Sequence, residues 1–382
     1  MIVSPILADL LRGFEYVETT DRGLRPHRLP SWVGEQCPDE RLLSMEAQPS
    51  GVRIAMITAA QEVELVVHPT RLAYRGFARA RGNVDLVVDH QLIASDELTG
   101  GDVFETDLQT GRTSVTVGAP HRSRFTGLAA GEKLVELWLP HNESCELIEL
   151  RTDAAVGPAP RAGLRWLHHG SSISHGSNAT TPARTWPALA ARRGDVDLRN
   201  LGFGGSSFVD PFMARVIRDT PADLISVKLG INVVNADAMR MRAFVPAVHG
   251  FLDTIRDGHP TTPLLVISPI YCDIHESTPG PGTFDPESFA RGQARFAASG
   301  QPGDQAQGRL TLTVIRDALA SLVAGRNDPN LQYLDGTTLY GQTDSVEHPL
   351  PDALHPDTAT HELIGRRFAE HSFLLNRALA PG

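Results

Sequence analysis

Residues 164–176 read LRWLHHGSSISHG. A largely apolar run, Leu164–His169, halts at Gly170, and a serine-rich turn, Gly170-Ser171-Ser172-Ile173, follows at once. A strand ending in Gly-x-Ser, with a helix starting just beyond, sets a hydroxyl on a tight turn at the edge of a sheet. There the backbone amides of the helix N-terminus point at whatever reacts with that hydroxyl. Serine-rich turns also serve simply to cap helices, so the turn by itself leaves both readings open.

Four more runs of the same texture follow: Asp197–Leu201, Leu224–Gly230, Leu264–Pro269 and Leu331–Asp335. Between them apolar residues recur at helical spacing, most clearly over Leu310–Val323, with Gly325 expected as the C-cap. Five strands alternating with helices predict an α/β domain built on a doubly wound, parallel, five-stranded sheet. Ligands of such sheets bind beyond the carboxyl ends of the strands. Residues 273–308 break the alternation: this Pro/Gly-rich stretch follows the fourth strand and carries Phe284, Phe289 and Phe296. A segment this long leaving the binding edge is expected to be a pocket wall or lid.

Three further motifs stand at strand ends or before the last helical stretch. The second strand runs into Gly202-Phe203-Gly204-Gly205, where glycine lets the main chain approach a ligand and donate an N–H. The third ends in Gly230-Ile231-Asn232, whose carboxamide can donate toward the same point. Near the C-terminus, Asp352-Ala353-Leu354-His355 supplies a histidine with a local acceptor for its second ring nitrogen, as a base requires.

These blocks, in this order, resemble the SGNH (GDSL) hydrolase family over about residues 164–375. Gly170-Ser171-Ser172-Ile173 matches its Gly-Asp-Ser block, Gly205 its glycine block, Gly230-Ile231-Asn232 its Gly-x-Asn block and Asp352-x-x-His355 its C-terminal block. The resemblance implies a flavodoxin-like domain in which Ser172 is the nucleophile, His355 the base and Asp352 its orienting acid. It also implies an oxyanion hole made by the Ser172 amide, the Gly205 amide and the Asn232 side chain. Two positions depart from the pattern. Ser171 replaces the usual Asp, which is not a triad member, and Val233 stands where Asp commonly follows the Asn, which puts support of that loop in doubt. Ser171 and Ser174 remain competitors for the nucleophile role.

Upstream, the texture is different. Val52–Thr58, Glu62–His68, Asn83–Ile93, Thr113–Val117, Leu134–Pro140 and Glu146–Arg151 are short β-type runs separated by turns, with no helical stretch expected between them. They predict an all-β sandwich or jelly roll over residues 1–155. A small, Pro/Gly-rich linker is expected at 156–163, and the catalytic domain at 164–382. Two domains suit a chain of 382 residues.

Composition narrows the function classes. A net charge of −10 argues against nucleic acid as a partner. The three cysteines, Cys37, Cys145 and Cys272, lack CxxC spacing and are expected to be reduced and mostly buried. The N-terminus lacks a basic region and a cleavage site, and no long apolar run suggests a membrane span, so a cytoplasmic protein is expected. There is no HExxH, no paired Cys/His spacing and no Gly-x-x-x-x-Gly-Lys loop, so neither metal nor cofactor is implied.

The expected partners are a small-molecule ester or acyl thioester and a hydroxyl acceptor. The two-domain layout resembles a subgroup of the family that includes carbohydrate acetyl esterases and an acyltransferase acting on a tetracycline scaffold. The lack of an export signal, the aromatic-bearing segment 273–308 and an Ala/Gly/Pro/Arg-rich composition of the kind found in antibiotic producers favour O-acyl transfer to a secondary-metabolite hydroxyl. The alternative is an esterase for short-chain or carbohydrate acetyl esters. A different class, a non-catalytic carbohydrate-binding scaffold, would leave the same four motifs without work.

Overall fold

Apolar runs without polar alternation must be buried on both faces, which a parallel sheet covered by helices provides. In the computed structural model of the chain, which describes residues 1–6, 8–161 and 163–374, the five downstream runs do form such a sheet. Ala162 of the expected linker and residues 375–382 of the expected catalytic domain lie outside the described residues.

In chain order the elements are β1 (Arg165–Gly170), α1 (Ser172–His175), α2 (Trp186–Gly194), β2 (Asp197–Gly202), α3 (Pro211–Asp219), β3 (Leu224–Lys228) and α4 (Ile231–Asn235). They continue with α5 (Met241–Gly258), β4 (Leu264–Ile267), α6 (Leu312–Gly325), β5 (Leu331–Leu334) and α7 (Thr358–Ala369). The strand order is β2-β1-β3-β4-β5. The pairs are parallel, with Trp166 beside Leu224, Ile225 beside Leu264 and Leu264 beside Leu331. The order reverses between β1 and β2, so the turns leaving β1, β2 and β3 share one edge of the sheet.

Helix α6 differs in one detail from expectation. Gly325 is its last helical residue, and the left-handed stop falls on Asn327, with φ +51°. Asparagine is the other residue that adopts this conformation readily.

The upstream residues build a β-sandwich from an eight-stranded and a six-stranded sheet. Val63, Leu65 and Val67 of one sheet share a core with Ile54, Met56, Leu86, Val135 and Leu137 of the other, all fully or almost fully buried. Three features differ from the sequence reading. Asn83–Ile93 is not one strand but part of a hairpin, Asn83–Val88 against Gln91–Glu97, turned at Asp89 and His90, both with positive φ. Two short helices, Ser31–Gln36 and Glu40–Glu46, interrupt the strands; each is too short for its periodicity to stand out, and the second is capped by the Asp39 carboxylate on the Leu42 amide at 2.6 Å. Within the expected linker, Val156–Pro158 pairs with Arg53–Thr58.

By their contacts with one another the described residues divide into two units, those within 1–163 with 179–200, and those within 164–178 with 201–374. Cys37, Cys145 and Cys272 are free. Among the described residues, no helix is long and apolar enough to cross a membrane.

Segment 273–308 has structure of its own. It comprises helices Asp273–Glu276 and Pro286–Ala290, a hairpin pairing Gly282–Phe284 with Phe296–Ala298, and a 3-10 turn at Asp304–Gln307. Its anchors are polar: the Arg316 guanidinium in α6 grips the Glu276 carboxylate at 2.9 and 2.5 Å, and the Met241 amide donates to the Gly308 carbonyl at 3.2 Å.

Candidate active site

The turn after β1 begins at Gly170 for a packing reason. A Cβ there would stand 2.3 Å from Ser174 Oγ, so only glycine lets the chain fold back over the first turn of α1. Ser171 is the extended N-cap, and Ser172 opens the helix. As the first helical residue, Ser172 has no carbonyl one turn back to receive its amide, which is left to point outward. The end of the turn is held by His361 of α7, whose Nε2 lies 3.0 Å from the Ser177 carbonyl.

The histidine arrives from the other end of the sequence. His355 Nε2 lies 2.9 Å from Ser172 Oγ, and its Nδ1 lies 2.7 Å from Asp352 Oδ2. A carboxylate only accepts, so Nδ1 carries the proton and the neutral ring offers the Nε2 lone pair to the serine hydroxyl. Asp352 is itself firmly held. Its Oδ1 accepts from the amides of Leu354 (2.9 Å) and His355 (2.7 Å), and its Oδ2 accepts also from Asn178 Nδ2 (3.1 Å). Burial pushes this carboxyl upward, but hydrogen bonding to His355 and the two amides outweighs it, so the acid sits below its ordinary value and stays ionised. The turn that brings these donors together forces Ala353 to φ +68°, a left-handed conformation costing a non-glycine residue about 1 kcal/mol.

Of the two competing serines, Ser171 is buried and its Oγ has no partner among the described residues. Ser174 Oγ is 2.8 Å from His168 Nε2 in the interior. Only Ser172 meets a histidine backed by a carboxylate.

The expected oxyanion donors leave the same sheet edge. Gly205 lies in the turn after β2 with φ +66°. Asn232 is the second residue of α4 and is buried. Its Oδ1 accepts the Ser207 amide at 3.2 Å, which commits the oxygen and leaves the carboxamide N–H group for another acceptor. Ser207 is anchored in turn: its Oγ lies 3.2 Å from His169 Nε2, and His169 Nδ1 donates to the Leu201 carbonyl at 2.8 Å. Burial drives His169 down to about 4, so its ring is neutral and Nε2 accepts from the hydroxyl. Val233, where the family commonly has an acid, is buried and, with no polar side-chain atom, adds no side-chain hydrogen bond to this support.

Asn178, Ser207 and His169 were missed by the sequence reading. One signal existed for His169: two histidines at the end of an otherwise apolar strand are polar groups that burial must satisfy. Asn178 and Ser207 left no such trace.

The sequence profile of the GDSL-like lipase/acylhydrolase family matches residues 169–363, just over half of the chain. Among solved structures, a salicylyl acyltransferase from a tetracycline biosynthetic pathway, SsfX3, is similar over 97% of this chain and 95% of its own, at 27% identity and a TM-score of 0.78. A protein of Bacteroides ovatus ATCC 8483 described as a GDSL-like lipase matches over 97% and 95%, with 17% identity and a TM-score of 0.66. A family two carbohydrate esterase of Cellvibrio japonicus matches over 97% of both chains, with 13% identity and a TM-score of 0.55. The last two are likenesses of fold alone. No curated protein matches the chain.

Proposed function

The chain belongs to the GDSL-like lipase/acylhydrolase family, and from that premise we propose that it is a serine acyl-transfer enzyme with Ser172 as nucleophile, His355 as base and Asp352 as the acid that orients it. The observation that carries this reading is the unbroken run of contacts from Ser172 Oγ through His355 to Asp352, at 2.9 and 2.7 Å.

Serine at its free pKa is a poor nucleophile. His355 Nε2 takes its proton as Oγ attacks the acyl carbonyl, and ionised Asp352 stabilises the imidazolium that results. Charge grows on the carbonyl oxygen, where the Ser172 amide, the Gly205 amide and the Asn232 carboxamide receive it. His355 then passes the proton to the departing oxygen or sulfur, leaving the acyl group on Ser172. In the second half, His355 deprotonates an incoming hydroxyl that takes the acyl group away.

That hydroxyl belongs, in this reading, to a small molecule such as a secondary metabolite, which makes the protein an O-acyltransferase. Support comes from the likeness to the salicylyl acyltransferase across nearly the whole of both chains, closer in fold than the likeness to the carbohydrate esterase. The esterase alternative has water as acceptor. Incubating the protein with acyl thioesters, with and without a polyol or polyketide acceptor, separates the two. Transfer predicts an acyl-Ser172 adduct by mass spectrometry and an ester product that outcompetes free acid once acceptor is added. Free acid alone, at a rate indifferent to acceptor, would leave the esterase reading.

A further inference from the structure

The hairpin in segment 273–308 carries an aromatic cluster. Phe284 and Phe296 stand directly opposite each other in its antiparallel pair, so their rings share one face, with centroids 5.1 Å apart. Phe289, from helix Pro286–Ala290, adds a third ring 5.6 Å from Phe284. The direction of that face follows from Gly282. It lies two residues before Phe284 and so on the same side of the strand, and a Cβ there would stand 1.9 Å from Asn235 Oδ1. The aromatic face is therefore turned toward α4, the helix that carries Asn232. At the other end, the Phe296 ring meets the His355 ring edge-on at 5.4 Å, and the Phe296 amide donates to the Asp352 carbonyl at 2.8 Å. The outer ring, Phe284, remains 40% exposed and open to a solute.

The chemistry of the site tells which part of a substrate this face borders. When an ester is cleaved, the bond from the acyl carbon to the alcohol oxygen breaks, and His355 Nε2 hands that oxygen the proton it took from Ser172. In transfer, the same nitrogen takes the proton of the incoming hydroxyl. In both directions the alcohol oxygen must come within hydrogen-bond reach of His355 Nε2, whereas the rest of the acyl group leads away from it. Phe296, packed on His355, lies along the alcohol side, and Phe284 and Phe289 extend that surface away from it. Phenyl rings offer flat apolar surface and no hydrogen-bonding groups, so they match a planar apolar ring. Resting on the acyl-transfer reading above, we infer that the Phe284–Phe289–Phe296 face is the alcohol subsite, and that the alcohol given up or acylated there carries an aromatic or fused-ring system.

The test uses the full chain and three esters: ethyl acetate, 2-naphthyl acetate and 2-naphthyl butyrate. In Phe284→Ala, the preference for naphthyl over ethyl acetate, as a ratio of kcat/KM, drops about tenfold. Phe284→Trp restores it, and Phe289→Ala moves it the same way by less. The preference for acetate over butyrate at fixed naphthol does not move. Three results overturn the inference: an unchanged alcohol preference in both alanine variants, a shift in acyl preference instead, or wild-type protein that favours acetylated xylose over naphthyl acetate. Failure of the underlying reading looks different. Ser172→Ala retaining naphthyl acetate turnover would remove the acyl-enzyme and the subsite with it, whatever the phenylalanine variants do.

Discussion

Two serine–histidine pairs share the turn 170–178, and only one of them fits the catalysis proposed above. Ser172 Oγ lies 2.9 Å from His355, and Ser174 Oγ lies 2.8 Å from His168, a nearly identical contact two residues along. The difference lies behind each imidazole. His355 faces the carboxylate of Asp352 and keeps some solvent exposure. His168 faces the Ser226 hydroxyl at 2.7 Å, which also receives the Trp166 indole N–H at 2.8 Å, and it is wholly buried. Burial, with the neighbouring His169 and Lys228, holds His168 well below its ordinary value. An imidazole that cannot keep a proton cannot serve as a base, so contact between serine and histidine counts for little without an acid and a dielectric that tolerate the imidazolium.

The contrast breaks most sharply at the nucleophile. Ser172→Ala is expected to lower kcat by on the order of 10⁶, and a fluorophosphonate probe should no longer label the protein. Ser174→Ala should still be labelled; loss of label there would reverse the two pairs. Next in size, Asp352→Asn should cost about 10⁴ in kcat, because an amide in that place allows the wrong tautomer of His355. Ser226→Ala, the matching change behind His168, should act on the thermal midpoint and leave most of the turnover.

Asn232→Ala is expected to cost about 10²–10³ in kcat with KM little changed, the signature of a donor used only in the transition state. Near wild-type kcat would remove Asn232 from the oxyanion hole.

The buried histidines bear on stability. His169 and His361 are both held near 4 by burial, below their ordinary 6.5. The folded state therefore binds fewer protons than the unfolded chain between those values, so stability is complete above about pH 6.5 and declines as pH falls toward 4. By pH 5 each histidine should have removed on the order of 2 kcal/mol, roughly 30-fold in the unfolding equilibrium. Urea titrations at pH 7 and 5 measure this, and equal midpoints would contradict it. The smallest effect is that of Asn178→Gly. Asn178 has φ +66°, where glycine fits without strain, so the substitution removes only its hydrogen bond to Asp352. A drop in kcat of about tenfold at constant KM is expected, and no drop would make Asn178 a passive neighbour.

Much of the α/β sheet was legible because its signal is local. Leu264–Ile267 is apolar without alternation and comes out buried along its length, as does Leu224–Lys228 although Ser226 and Lys228 interrupt it. The sandwich was readable only where turns were plain. Asp89-His90 hid a hairpin because neither residue is a glycine, although both adopt positive φ. Val156–Pro158 hid because three small or cyclic residues at an edge look like linker until a neighbouring strand pairs with them.

Motif order along the chain picked out Ser172, Gly205, Asn232, Asp352 and His355, and local periodicity determined the alternation of strands and helices, because neighbours within a few residues set both. The pairing of Ser172 with His355 was expected only through the family resemblance, since spacing and periodicity alone do not say which serine meets which histidine. Ser172 and His355 stand 183 residues apart, Ser174 and His168 only six, and sequence proximity favours the second pair. The fold decides otherwise by bringing a carboxylate to one ring and closing the interior around the other. The same holds for Asn178 on Asp352, Ser207 on Asn232 and Phe296 on His355: each is a contact between elements whose meeting depends on how strands order in the sheet, and strand order leaves no mark on the residues that it brings together.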